Sequence, residues 1–209
     1  LPFDVTDPGD VDRALAEAAR LTGGVDLLVL SHGIAEVADI DALDPARLER
    51  VFRVNALGSF HVLGGFVRQV RAGGGGGDVV LVSTKNVPDP GASFSAYSAS
   101  KAAAHQLARV AAIELAPHDI RVNMVAPDAV FGDDEIPSAL WQEVGAARAR
   151  SRGIDPAELP ERYRRRNLLQ ARVTVEDVAR AVLFFARRAT PTTGAVLPVD
   201  GGLPGAFPR

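Results

Sequence analysis

Asp26-Leu27-Leu28-Val29-Leu30, followed by Ser31-His32-Gly33, is a run too short and too apolar for anything but a buried strand that ends in a glycine turn. The same rhythm repeats outward from it. Upstream, Asp10 to Leu21 has helical patterning, with Asp7 or Asp10 as cap and Gly23-Gly24 as stop. Downstream, Asp44-Pro45 opens a long helix in which Leu48, Val51, Phe52, Ala56, Phe60 and Leu63 recur at helical spacing, Gly58 and Gly64 permitting close contact. The run Gly73 to Gly77 ends that helix. It reads as a flexible surface turn, because it precedes the strand Asp78 to Val82, whereas a phosphate loop joins a strand end to a helix start. A helix from about Ser95 to Leu115, a strand Ile120 to Val125 closed by Pro127, a charged helix-prone insertion over 133–170, a helix Val175 to Arg187 and a short strand Ala195 to Val199 follow. Strands alternating with helices predict an α/β fold with a doubly wound, largely parallel sheet. In such sheets ligands sit beyond the carboxyl ends of the strands, which here carry Ser31-His32-Gly33, Ser83-Thr84 and Ala126-Pro127-Asp128.

Composition bounds the possibilities. The 209 residues, 47% hydrophobic, suffice for one sizeable core, and no linker or repeat suggests a second domain. With 23 Lys and Arg against 26 Asp and Glu, the net charge of -3 implies no general attraction to nucleic acid or anionic lipid. The absence of cysteine excludes disulfides and thiolate metal sites and is compatible with a reducing compartment, so a cytoplasmic location is expected. No run of about 18 apolar residues could span a membrane. A chain opening on Leu1 is read as a truncation, since translation begins with Met.

Tyr97-Ser98-Ala99-Ser100-Lys101 places a phenol and an ammonium four residues apart, on one face of the expected helix. A phenol is a weak acid, with a pKa of about 10, but a nearby cation favours phenolate. Tyr97 is thereby a candidate to exchange a proton with an alcohol or carbonyl while hydride moves to or from a nicotinamide ring.

Around that pair, ordered motifs resemble those of the short-chain dehydrogenase/reductase family. Ser31-His32-Gly33 stands for the family's Asn-Ala-Gly, Val54-Asn55 for its Val-Asn, and Tyr97 and Lys101 for its Tyr-x-x-x-Lys. Ile120-Arg121-Val122-Asn123 leading to Pro127, and Thr193-Gly194 leading to Val199-Asp200-Gly201-Gly202, are also typical of it. The resemblance implies a Rossmann-like fold, NAD or NADP as cofactor, and a catalytic tetrad of Asn55, Thr84, Tyr97 and Lys101. Thr84, where the family usually has Ser, is preferred to Ser83 by its distance from Tyr97; side chains alternate along a strand, so the two hydroxyls should point to opposite sides. Asn55 would hold a water linking Lys101 to solvent, and Lys101 would lower the Tyr97 pKa and bond the nicotinamide ribose. The other implied cofactor contacts are Asp4 and Val5 near the adenine, Ser31 and Gly33, and Pro127 and Val130 at the nicotinamide. Three positions depart from the family pattern: Ser31 replaces an Asn, Asp128 a Gly, and Gly132 stands near the usual Thr. The family's first strand, Gly-rich phosphate turn and second strand would lie upstream of Leu1, so weak cofactor binding by this chain alone is expected.

Thr84-Lys85-Asn86-Val87, Pro127-Asp128-Ala129-Val130, Tyr163 through Arg166-Asn167-Leu168-Leu169 and the terminal Ala206-Phe207-Pro208-Arg209 resemble, more narrowly, the dehydrogenase half of bifunctional rhamnulose-1-phosphate aldolase/short-chain dehydrogenases. That resemblance implies a small alcohol or aldehyde such as lactaldehyde as substrate, with 133–170 as its lid, although Asp133-Asp134-Glu135-Ile136-Pro137 departs from the lid pattern. Arg162, Arg164, Arg165 and Arg166 read as a solvated helix face or a subunit contact, with neutralisation of a phosphate or acid substrate as the alternative. In the family the Ala-rich helix around Ala102 to Ala112 and the helix after Pro45 build a dimer interface, so a homodimer or homotetramer is expected. The rival reading is a catalytically inactive paralogue acting as an oligomer partner or regulatory subunit.

Overall fold

The structure is a computed structural model that describes residues 1–133 and 135–207; expectations touching Asp134, Pro208 and Arg209 lie outside the described residues. Four strands, β1 (Leu27–Leu30), β2 (Gly77–Val82), β3 (Ile120–Pro127) and β4 (Val196–Val199), form one sheet in the order β1-β2-β3-β4, every pair parallel. The helices are α1 (Pro8–Thr22), α2 (Pro45–Phe52), α3 (Gly58–Ala72), α4 (Ser95–Leu115), α5 (Ala139–Arg150), α6 (Leu159–Arg165) and α7 (Val175–Ala186).

Local chemistry explains the boundaries. Asp7 caps α1 through its carboxylate, which accepts from the amides of Gly9 and Asp10, Pro8 fills the first turn, and Gly23 ends the helix in the left-handed region at φ 80°. Thr174 and Asp177 form a reciprocal capping box on α7. The long helix expected after Pro45 is interrupted: Arg53–Leu57 make a π turn, in which the Gly58 amide bonds the Arg53 carbonyl five residues back. The spacing was read across this extra residue, and Phe60, expected in the core, is therefore 55% exposed.

Alternating strand residues sort onto two faces. Leu28, Leu30, Val79, Leu81, Val122 and Met124 pack under α1, α3 and α4, while Val80 and Val125 pack against Ala181 and Phe185 of α7. At the amino ends of the strands Asp78, paired in register with Arg121, is clamped by Arg121 (Nε–Oδ1 2.8 Å) and Arg188 (Nε–Oδ2 2.6 Å). The charged insertion folds as α5 and α6, joined by a short 3-10 turn at Pro156–Glu158.

Candidate active site

A cavity of about 390 Å³ opens at the carboxyl ends of the strands, where Ser31, Gly33, Thr84, Pro127 and Val130 meet Tyr97 and Lys101 from α4. Tyr97 and Lys101 lie one helical turn apart and are both buried, as is Thr84. The hydroxyls of Ser83 and Thr84 diverge as strand alternation requires. Ser83 Oγ is 2.9 Å from Nδ1 of His105, while Thr84 Oγ1 accepts from the Asn86 amide at 3.2 Å and lies against the Tyr97 phenol.

Lys101 Nζ donates to the carbonyls of Val82 (3.0 Å) and His32 (3.2 Å). Two of its three hydrogens are thus held by backbone, and among the described residues it has no carboxylate partner. Burial pushes its pKa down to about 8. Burial likewise pushes Tyr97 up to about 12, opposed by the Thr84 hydroxyl. The expected lowering by Lys101 is not among the influences on Tyr97 here: burial raises its pKa, the Thr84 hydroxyl lowers it and Tyr163 adds to the rise. His32 beside them is driven down to about 4 by burial and by the Lys101 charge, so it is neutral near pH 7.

Asn55 sits in the π turn, fully buried, and does not line the cavity. Its Oδ1 accepts from the Ile34 amide and its Nδ2 donates to the Ile34 carbonyl and Ser100 Oγ, each at 2.9 Å. It thereby fastens the loop after β1 to α4, and its backbone carbonyl accepts from Ser59 Oγ at 2.7 Å. Asp4 and Val5 also lie outside the cavity. Asp4 Oδ1 accepts from the Thr6 amide, and Val5 packs on Gly58, where an added Cβ would stand 2.7 Å from Val5 Cγ2.

Phe94 and Trp141 escaped the sequence reading, and Tyr163 entered it only through the narrower resemblance. The chain's one Trp and both its Tyr line the cavity, Trp141 and Tyr163 coming from the insertion. Phe131, Trp141 and Tyr163 form an aromatic trio with centroids 4.5–5.4 Å apart, Tyr163 meeting the other two edge-to-face, and Phe94 lies 4.8 Å from the Tyr97 ring. Asp128, the residue in place of a Gly, bonds Arg166 through both oxygens, and the Arg166 guanidinium lies 3.9 Å over the Tyr163 ring. The departure at 128 thus anchors α6 over the site.

The arrangement fits the nicotinamide end of a dinucleotide. Gly33 leaves open a space in which a Cβ would stand 3.3 Å from Lys101 Nζ, and Pro127 and Val130 border the same cavity. Among the described residues no cluster of His, Asp or Glu could hold a metal, and no helix is long and apolar enough to cross a membrane.

Comparison with known proteins places the chain among recognised relatives. A family model described as enoyl-(acyl carrier protein) reductase matches residues 1–204. The chain is 39% identical over 208 residues to the uncharacterized oxidoreductase YuxG of Bacillus subtilis (strain 168), covering 99% of this chain but 30% of that protein. It is 31% identical to L-2,3-butanediol dehydrogenase of Corynebacterium glutamicum, covering 96% of this chain and 76% of that protein. Among solved structures, sorbitol-6-phosphate 2-dehydrogenase SrlD from Erwinia amylovora superposes with a TM-score of 0.89 at 25% identity, covering all of this chain and 79% of that one. NAD+-bound xylitol dehydrogenase gives 0.85 at 25% identity, covering 96% and 77%. With its parallel sheet, its buried Tyr97–Lys101 pair and these relatives, the chain belongs to the short-chain dehydrogenase/reductase family of oxidoreductases.

Proposed function

We propose that the chain carries the catalytic site of an NAD- or NADP-dependent oxidoreductase that interconverts a small alcohol and its carbonyl compound. The observation that carries this reading is the convergence of Thr84, Tyr97 and Lys101 on one cavity. A bound nicotinamide supplies or accepts the hydride. Tyr97 Oη gives its proton to the carbonyl oxygen or takes it from the alcohol, and Thr84 Oγ1 donates a hydrogen bond to that same oxygen. Lys101, with one N–H left over from Val82 and His32, stabilises charge on Tyr97 and contacts the cofactor ribose. Asn55 acts from behind by fixing the Ile34 loop. Ser31, Gly33, Pro127 and Val130 would hold the nicotinamide end, and Asp4 and Val5 the adenine end.

Several relatives are named for diols, polyols or a polyol phosphate and others for a cyclic alcohol, a terpene alcohol or a sugar, which supports a hydroxyl compound as substrate. One solved relative carries NADP and another NAD+, so both cofactors belong in the assay. The narrower reading, a dehydrogenase half joined to an aldolase and working on lactaldehyde, rests on the motifs at 84–87, 127–130 and 163–169; the Bacillus subtilis relative, of which the chain covers 30%, is longer than a dehydrogenase domain alone. Segment 133–170 acts as the substrate lid of this domain. The exposed apolar residues Leu107, Val110 and Ile113 of α4, with Leu57 and Phe60, support a homodimer or homotetramer built on these helices.

Initial rates with NAD and NADP over lactaldehyde, butanediol and polyols test the proposal. Tyr97→Phe should lower kcat by about 10²–10⁴-fold, the usual worth of a positioned proton donor; turnover that survives the change would sink it.

A further inference from the structure

The insertion 133–170 is balanced overall, with seven arginines against seven carboxylates, but its positive charge is concentrated around α6. Beside α6 a second cavity, of about 720 Å³, is lined by Arg152, Arg162, Arg165 and Arg166 against Glu158 and Glu161. Glu161 is already engaged by Arg164 and Arg165, at 2.7 Å each, which hold its carboxyl down at about 2. Arg166 is paired with Asp128. Arg152 and Arg162 make no ion pair among the described residues.

Behind Arg152 lies Arg148, only 2% exposed. Its Nε donates to the Tyr163 hydroxyl at 3.3 Å and its Nη1 to the Ala92 carbonyl, but among the described residues its Nη2 has no acceptor. That Nη2 converges with the Nη2 of Arg152 at Gly91, where an added Cβ would stand 2.6 Å from the first and 2.9 Å from the second. Burial and the charges of Arg148, Arg166 and Arg162 all work against protonated Arg152, with Tyr163 alone opposing them. A guanidinium cannot shed its proton in a protein, so such a convergence is relieved by an anion. Planar forks of this kind bind phosphate oxygens well. Tyr163 borders both this cavity and the catalytic one, so a group held here abuts the substrate pocket.

We propose that Arg152 and Arg162, which line this cavity, with Arg148 reinforcing Arg152 from behind, form a binding site for a phosphoryl group, carried by the hydroxyl substrate or taken as free phosphate. The first source rests on the dehydrogenase reading; the site itself does not.

The test begins with thermal unfolding of the full chain in inorganic phosphate against chloride at matched ionic strength. Saturable stabilisation by a few degrees is expected. It should vanish in the double variant Arg152→Gln/Arg162→Gln and persist in Arg13→Gln, an exposed arginine on α1. No saturable response, or an equal response in the double variant, overturns the site. Rates with sorbitol 6-phosphate and sorbitol then separate the sources. A KM at least about tenfold lower for the phosphorylated substrate, lost in the double variant, assigns the group to the substrate. Equal use of both with phosphate stabilisation intact assigns free phosphate. Stabilisation with turnover of neither supports the site while counting against the dehydrogenase reading.

Discussion

The two ends of the one sheet treat charge in opposite ways. At the amino ends a carboxylate, Asp78, is held between two guanidinia, and Arg188 reaches on to Asp119 and to the Gly77 carbonyl. At the carboxyl ends an ammonium, Lys101, is buried against backbone carbonyls, with a neutral phenol, a hydroxyl and a neutral imidazole around it. The first arrangement neutralises charge where strands, α7 and the following loop must be tied together. The second leaves a charge uncompensated, which costs stability and keeps Lys101 able to respond to whatever charge enters the cavity. Stability and chemistry are thus concentrated at opposite poles of the same strands.

Removing the clamped carboxylate is the strongest way to break this comparison. Asp78→Ala leaves Arg121, whose side chain is 15% exposed, with backbone carbonyls but no counter-ion, and should cost about 3–5 kcal/mol in denaturant unfolding; a loss under about 1 kcal/mol would mean the amino-end network is ornamental. The carboxyl end should behave in the opposite sense with pH. The Lys101 pKa is about 8 folded against 10.5 unfolded, so between those values the unfolded chain binds more protons and stability rises with pH. Relative to Lys101→Met, wild type should gain about 2 kcal/mol between pH 8 and 10; parallel stability curves for the two proteins would show that Lys101 is not held uncompensated. Smaller still is the effect at Thr84. Thr84→Ala should lower kcat/KM about tenfold, the worth of one neutral hydrogen bond, while Thr84→Ser keeps most of the rate. Equal loss in both variants would indicate that the methyl group, not the hydroxyl, matters there.

The strands and their order of appearance were legible because short apolar runs bounded by glycine and proline have few other readings, and β1 through β4 fall where that logic puts them. The α4 pair was legible because four residues make nearly one helical turn, whatever surrounds them. The π turn was not, since a surplus residue leaves no mark in composition and merely shifts the apolar spacing, as Phe60 records. Nor was the contribution of the insertion. Tyr163 reaches the cavity through contacts with Phe131, Trp141 and Arg148, partners 15 to 32 positions away in the chain, and local patterning carries no record of such pairings. The roles of Arg148 and Asp128 depend in the same way on what α5 and α6 fold against.

The π turn at Arg53–Leu57 makes the path from Pro45 to Ala72 two helices out of phase, spliced without a break. Excising one residue from the splice should restore continuous α-helical bonding and yet rotate everything beyond it by about 100°. Ser59 would swing off the Asn55 carbonyl and away from His32, Phe66 would leave its fully buried seat, and Gly58 would no longer face Val5. A shorter, more regular helix would then be a worse one: the irregularity acts as a phase-setting gear, letting one half of the rod address the loop after β1 while the other half addresses the core.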